Sequence, residues 1–302
     1  MSSESRNGKV EFKVGDEIFQ TWYKILGSLN APGTTPLVVL HGGPGMTHHY
    51  MLPHEILFEK YDIPIVLYDQ IGNGESSHAK DKPNEFWTAE LFMDELDNLL
   101  KHLGISDNFN LLGHSWGGML AGHYAAARSP PGLRKLVITN APASVPLFVA
   151  GTNSLLEKFP AEYVQNIRTL ETEGKTSSPE YQQGVMEFYA KHVCTTKPWP
   201  QCLVDSFNAV GGNPTVYHTM FGISDFNVTG TLKHWSIVDI LHQISAPTLL
   251  ISAPLDEVQE CAFLPFFSNI PKVKWVEIPT STHLAMFEDP ERYFDVVLKF
   301  LV

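Results

Sequence analysis

The 302-residue sequence lacks most of the features that mark special environments. It has three cysteines, Cys194, Cys202 and Cys261, and no C-x-x-C pair, which argues against a disulfide framework or a thiolate zinc site. A reducing, intracellular compartment suits such sparse thiols. No stretch approaches the ~18 apolar residues of a membrane span, and the N-terminus, MSSESRNGKVEF, has no apolar signal-peptide core. Lysine and arginine nowhere form a block; 21 basic against 33 acidic residues leave a net charge of −12, which repels nucleic-acid phosphates and anionic lipid. The expectation is a cytoplasmic protein with no nucleic-acid or membrane partner; Asn227-Val228-Thr229 would be a glycosylation site only in a secreted chain. No H-E-x-x-H occurs, since His54-Glu55 lacks the second histidine, and His48-His49 reads as surface or core. Neither a metal nor another cofactor is expected.

What is present is a strand and helix alternation. Lys9 to Val14 and Glu17 to Leu26 alternate with period two around Gly15-Asp16, a hairpin signal. Short apolar runs follow at Leu37–Leu40, Ile63–Tyr68, Phe109–Leu112, Leu133–Thr139, Thr248–Ser252 and Val273–Ile278, as expected for strands buried on both faces. Helical stripes lie between them, clearest from Ala89 to Leu103, with Gly104 as the stop. This order predicts an α/β fold: a mostly parallel central sheet flanked by helices. The alternation lapses in a stretch rich in aromatics, Pro and Gly, with helical pieces such as Tyr181 to His192. We read residues 143–236 as an inserted helical cap, and residues 1–142 and 237–302 as the core.

The chemistry concentrates at a few places. Gly113-His114-Ser115-Trp116-Gly117 is a G-x-S-x-G between a buried strand and a helix, the setting of a nucleophile elbow. Ser115 is the candidate nucleophile. A serine hydroxyl needs a base and a carboxylate to orient that base, and in such folds they follow in the order acid, then histidine. Asp256, just past the run Thr248–Ser252, is the candidate acid, with Asp239 as its nearest rival. His283, the only histidine after His242, is the candidate base. His41-Gly42-Gly43-Pro44-Gly45 follows an early strand, so the Gly43 and Trp116 N–H groups are assigned to an oxyanion hole. No G-K-[ST] follows, so this is not a phosphate loop.

HGGPG at His41–Gly45, the stretch Asp69-Gln70-Ile71-Gly72-Asn73-Gly74-Glu75-Ser76, and Tyr217–Gly222 together with Thr229–Trp235 resemble, in order, the proline iminopeptidase family of α/β-hydrolases, which includes tricorn-interacting aminopeptidases and amino-acid amidases. The resemblance covers most of the chain. It implies hydrolysis of the amide bond after an amino-terminal residue, often proline or another small apolar one, through an acyl-enzyme. It also implies that carboxylates hold the substrate's ammonium. By position these are Glu257 and, in the cap, Asp225, where the family carries a glutamate; Gly222-Ile223 likewise replaces an expected Gly-Pro. Tyr217 and Phe221, with Trp199, Phe226 and Trp235, are candidates for the pocket wall, with the core of the cap as the alternative for each. The shortened carboxylate keeps open an esterase, lactonase or amidase acting on a neutral metabolite, and a silent binding protein is a further rival. Asp-dependent epoxide hydrolases or dehalogenases are disfavoured by Ser115.

Overall fold

The computed structural model describes residues 5–302. Residues 1–4, where the core segment and the N-terminus read above begin, lie outside the described residues. Among the described residues eight strands form one sheet in the order β1-β2-β4-β3-β5-β6-β7-β8. They are β1 (Ser5–Val14), β2 (Glu17–Leu26), β3 (Leu37–Leu40), β4 (Ile65–Asp69), β5 (Phe109–His114), β6 (Leu133–Thr139), β7 (Thr248–Ser252) and β8 (Val273–Glu277). The β1–β2 hairpin turns at Gly15, whose φ of +60° suits the first central residue of a type II′ turn. β2 also pairs antiparallel with β4, and every pairing from β4 through β3 to β8 is parallel.

The apolar runs divide by period two onto the two faces of the sheet. Val38, Leu40, Val66, Tyr68, Leu111 and Ile138 join one core cluster, and their neighbours Leu37, Val39, Ile65, Leu67, Leu112 and Val137 join the other. Helices cover both. α1 (Ile56–Tyr61) contributes Leu57 to the second cluster, while α2 (Ala89–Leu103) and α3 (Trp116–Arg128) bury Phe92, Leu96 and Leu120 in the first. α2 begins where the Thr88 hydroxyl accepts the Leu91 N–H at 3.1 Å and ends at Gly104, φ +69°. β8 departs from the expectation of double burial. It is the sheet's last strand, and none of its residues is fully buried: Val273, Trp275 and Val276 are half-buried, Lys274 and Glu277 exposed.

Between β6 and β7 the chain forms α4 (Val145–Leu156), α5 (Ala161–Thr172), α6 (Pro179–His192), α7 (Gln201–Gly212) and α8 (Thr215–Met220). Its two ends are tied together: Ser144 and Ser236 form an antiparallel bridge, the Val145 N–H donates to the Trp235 carbonyl at 2.9 Å and the Ile237 N–H to that of Ala143 at 3.0 Å. A third apolar cluster, with Leu156, Ile167, Tyr181 and Phe188, belongs to these helices. After β7, α9 (Glu260–Asn269) packs Phe263 and Phe266 on the first core, and α10 (Ala285–Glu288) and α11 (Pro290–Leu301) pack Met286, Tyr293 and Val297 on the second.

Candidate active site

All the candidate catalytic segments follow the carboxyl ends of parallel strands, where open α/β sheets collect ligands. His41–Gly45 follows β3, Gln70–Ser76 follows β4, Ser115 follows β5, Asp256 lies past β7 and His283 past β8. Ser115 has φ +56° and ψ −125°, a region rarely tolerated by a residue with a Cβ. The surrounding packing maintains that strain. A Cβ on Gly113 would overlap the Gly117 carbonyl, one on Gly117 the Leu40 carbonyl, and one on Gly118 the Ala141 side chain. These close approaches between β5, α3 and β3 are what the motif's glycines permit.

His283 Nδ1 donates to Asp256 Oδ1 at 2.8 Å, and the same oxygen accepts the Val258 N–H at 2.9 Å. Asp256 Oδ2 accepts from Asn140 Nδ2 at 2.7 Å. The fully buried Asp256 thus accepts three hydrogen bonds and fixes the His283 tautomer, with Nε2 left toward the pocket. Burial disfavours the His283 imidazolium, but Asp256, through charge and hydrogen bond, and then Glu257 and Asp225 outweigh it and raise the pKa to about 9. Asp239 lies exposed on the short helix Val238–Gln243, which removes it as a rival.

Gly43 and Trp116 both line the cavity that exposes Ser115. As the first residue of α3, Trp116 has an N–H with no acceptor inside the helix, and Gly43 adopts φ +112°. The indole Nε1–H of Trp116 donates to Gln70 Oε1 at 2.9 Å, and the Gln70 N–H donates to His41 Nε2 at 3.0 Å. Gln70, to which no role was given from sequence, therefore links elbow to glycine loop. Asp69 holds its neighbours, accepting the backbone N–H of His48 at 2.7 Å and of Glu75 at 2.9 Å.

The cavity encloses about 700 Å³ including its open mouth, and carries Ser115, His283, Tyr217, Phe221, Asp225 and Glu257 on one lining. Met46, Met119, Phe148, Leu203, Phe207 and Leu284 make most of the rest apolar. Trp199, Phe226 and Trp235 are not in this wall. Trp199 packs on Phe207 and Phe226 edge-on against Phe188, with ring centroids 5.2 and 4.8 Å apart, and Trp235 lies against His123 at 5.9 Å. They serve as core: Trp199 packs on the second apolar cluster, Phe226 belongs to the third and Trp235 packs on the first.

The two carboxylates differ. Asp225 Oδ2 accepts from the Tyr189 hydroxyl at 2.6 Å and Oδ1 from that of Tyr217 at 3.3 Å. Tyr189 was not singled out in the sequence. Glu257 sets Oε1 3.7 Å from His283 Nε2, while its buried Oε2 has no hydrogen-bond partner among the described residues. Burial raises the pKa of both, the Asp225 charge adding to the effect on Glu257. Among the described residues lining the cavity there is no lysine or arginine.

Comparison with known proteins agrees with this architecture. The family profile described as alpha/beta hydrolase fold matches residues 35–290. The proline iminopeptidase of Saccharolobus solfataricus is 34% identical over 287 residues, 95% of this chain and 89% of that protein. The crystal structure of Mycobacterium smegmatis proline iminopeptidase superposes with a TM-score of 0.89 at 39% identity, covering 97% of each chain. That of VinJ superposes with a TM-score of 0.92 at 40% identity, covering 97% of this chain and 98% of that one. No helix among the described residues is long and apolar enough to cross a membrane. With the strained serine at its elbow, the histidine and carboxylate beyond the following strands, and relatives aligned over nearly its whole length, the chain belongs to the α/β-hydrolase fold family and, within it, to the proline iminopeptidases.

Proposed function

We propose that the protein hydrolyses the amide bond after a free amino-terminal residue of a short peptide or amino-acid amide. The observation that carries this reading is the pair Asp225 and Glu257, buried in the lining that also holds Ser115, with one Glu257 oxygen unpartnered. A buried carboxylate oxygen without a donor is costly, and a substrate ammonium supplies both charge and N–H groups. The helices of residues 143–236 act as a cap that brings Tyr189, Tyr217, Phe221 and Asp225 over the core's catalytic residues.

In the reaction, Ser115 Oγ attacks the scissile carbonyl carbon as its proton passes to His283 Nε2. The Gly43 and Trp116 N–H groups hold the carbonyl oxygen as it becomes an oxyanion. Asp256 keeps Nδ1–H in place and stabilises the imidazolium. His283 then returns the proton to the departing nitrogen as the C–N bond breaks, leaving an aminoacyl ester on Ser115. Water, deprotonated by His283, attacks that ester; the acid leaves and Ser115 recovers its proton.

The competing reading, a neutral ester or lactone substrate, draws on one observation: both Asp225 oxygens already accept tyrosine hydroxyls. Steady-state hydrolysis of proline and alanine para-nitroanilides, free and N-acetylated, beside a para-nitrophenyl ester, separates the two. Turnover of the free-amine anilides, loss with their acetylated forms and loss in Ser115→Ala are expected. Ester turnover without any anilide turnover would end the ammonium reading.

A further inference from the structure

Two buried residues beside the site hold groups whose hydrogen bonds can run in only one direction. The Gly42 N–H can only donate, so Tyr50 Oη, 2.5 Å away, accepts. The Tyr50 hydroxyl proton is then free for His114 Nδ1 at 3.0 Å, which must be bare. His114 therefore carries its proton on Nε2 and donates it to the main-chain carbonyl of His283 at 2.8 Å. Burial, reinforced by the nearby His283, keeps the His114 imidazole neutral, and burial also keeps the Tyr50 phenol protonated.

We infer that His114 and Tyr50 are positioning residues for acyl transfer: their hydrogen-bonded chain ties the backbone of the base, His283, to the glycine loop that carries the oxyanion donor Gly43. The geometry at the loop shows why this matters. Gly42 lies against the nucleophile's residue, for a Cβ there would stand 2.7 Å from Tyr50 Oη and 3.0 Å from Ser115 Cβ. Its carbonyl accepts from His41 Nδ1 at 3.0 Å and from the Met46 N–H at 3.3 Å. The peptide plane between Gly42 and Gly43 is thereby fixed, and the Gly43 N–H points opposite to that carbonyl. Tyr50 anchors the preceding peptide by its N–H. At the other end, the His283 N–H faces the His192 carbonyl at 3.3 Å and the Thr282 N–H donates to Glu288 at 2.6 Å. Asn140 Nδ2 also reaches this segment, at the Thr282 carbonyl 3.3 Å away, but among the described residues the hydrogen-bonded path from the His283 carbonyl to the oxyanion loop runs through His114, the residue preceding Ser115.

The inference rests on the roles given above to Ser115, His283 and Gly43. Its test uses the full-length enzyme and the free-amine anilide, with Tyr50→Phe, His114→Leu, His114→Gln and the double variant Tyr50→Phe/His114→Leu, and Ser115→Ala as the reference. Breaking the chain leaves buried polar groups unpaired, so each of Tyr50→Phe and His114→Leu should lower kcat by about 10- to 100-fold while KM stays within about threefold. The double variant should be little worse than the poorer single, because one chain is broken once. His114→Gln, which retains a donor for the carbonyl and an acceptor for the phenol, should return kcat to within about fivefold of wild type. A rise in KM at unchanged kcat, losses that multiply in the double variant, or His114→Gln as poor as His114→Leu would overturn the inference. If His114→Leu does not fold, Tyr50→Phe and His114→Gln decide it by the same split of kcat and KM. Ser115→Ala that still turns over substrate refutes the serine assignment itself, whereas an inactive Ser115→Ala with full-rate Tyr50→Phe refutes only the positioning chain.

Discussion

At His283, two carboxylates outside the Asp256 pair act on the base. Glu257 Oε1 stands 3.7 Å from Nε2, on the side where Ser115 must deliver its proton. With its pKa raised to about 9, the free enzyme's imidazole is largely protonated at neutral pH and cannot accept that proton. On the function proposed above, a substrate ammonium seated on Glu257 and Asp225 would offset their charge and bring the His283 pKa down, so that binding readies the base. A neutral reagent gives no such help. The inactivation rate with an uncharged serine-directed phosphonate should therefore climb as pH rises toward about 9, and Glu257→Gln should move the midpoint lower. Coincident midpoints for the two proteins would show that Glu257 exerts no hold on His283.

At the scale of elements, Glu95 shows how α2 reaches the site. It lies fully buried in the helix's apolar stripe, accepts the Thr21 hydroxyl from β2 at 2.6 Å, and accepts the Ile71 N–H at 2.9 Å. Ile71 adjoins Gln70, which holds both Trp116 and His41. Burial raises the Glu95 pKa to about 8. A carboxyl whose folded pKa lies above its unfolded one binds its proton more tightly when folded. Its contribution to stability is full below the unfolded value, near 4.5, and is lost as pH climbs toward about 8. Urea unfolding at pH 5 and pH 8 should show a smaller drop for Glu95→Gln than for wild type. An equal drop in the two would mean that Glu95 does not carry this titration.

The same residue marks where sequence reading stopped. The stripe Phe92, Leu96, Leu99 and Leu100 announces α2 by its period, and a glutamate one position before Leu96 reads as solvent-facing until its two donors are seen. The elbow was legible because its glycines answer a local steric demand, and the sheet because apolar runs bounded by turns leave few alternatives. What stayed hidden depends on long-range partners: Tyr50 and His114 meet across 64 positions, and Tyr189 reaches Asp225 across 36. The half-exposure of β8 was missed because a short apolar run does not reveal whether its strand ends the sheet. Trp199, Phe226 and Trp235 took the core alternative rather than the pocket wall, a choice the sequence left open because an aromatic in the insert packs into an apolar cluster as readily as into a pocket wall.

Over the whole molecule, the sheet's carboxyl edge carries Ser115, Asp256, His283 and the glycine loop, to which the proposed function gives proton transfer and the oxyanion, whereas the insert carries Tyr189, Tyr217 and Asp225. Glu257 stands at the junction: its N–H donates to the carbonyl of His192, the last residue of α6, at 3.1 Å, as the His283 N–H does at 3.3 Å. The insert is thus bound at its base to Glu257 and His283, the residues to which the proposed function gives recognition and base catalysis. Within it, the Tyr181 hydroxyl donates to Glu171 at 2.9 Å, and the Ser224 hydroxyl donates to the same carboxylate beside Asp225. This division predicts unequal losses when the insert alone is altered. Tyr189→Phe removes the 2.6 Å hydrogen bond to Asp225, and such bonds to charged groups contribute about 1.5–3 kcal/mol, or roughly 10- to 100-fold. For a free-amine anilide kcat/KM should fall by that factor, chiefly through KM, and the loss should exceed any slowing of phosphonate labelling at Ser115 at least tenfold. Equal losses in the two assays would place Tyr189 in service of the nucleophile, and recognition and chemistry would then not divide between insert and core.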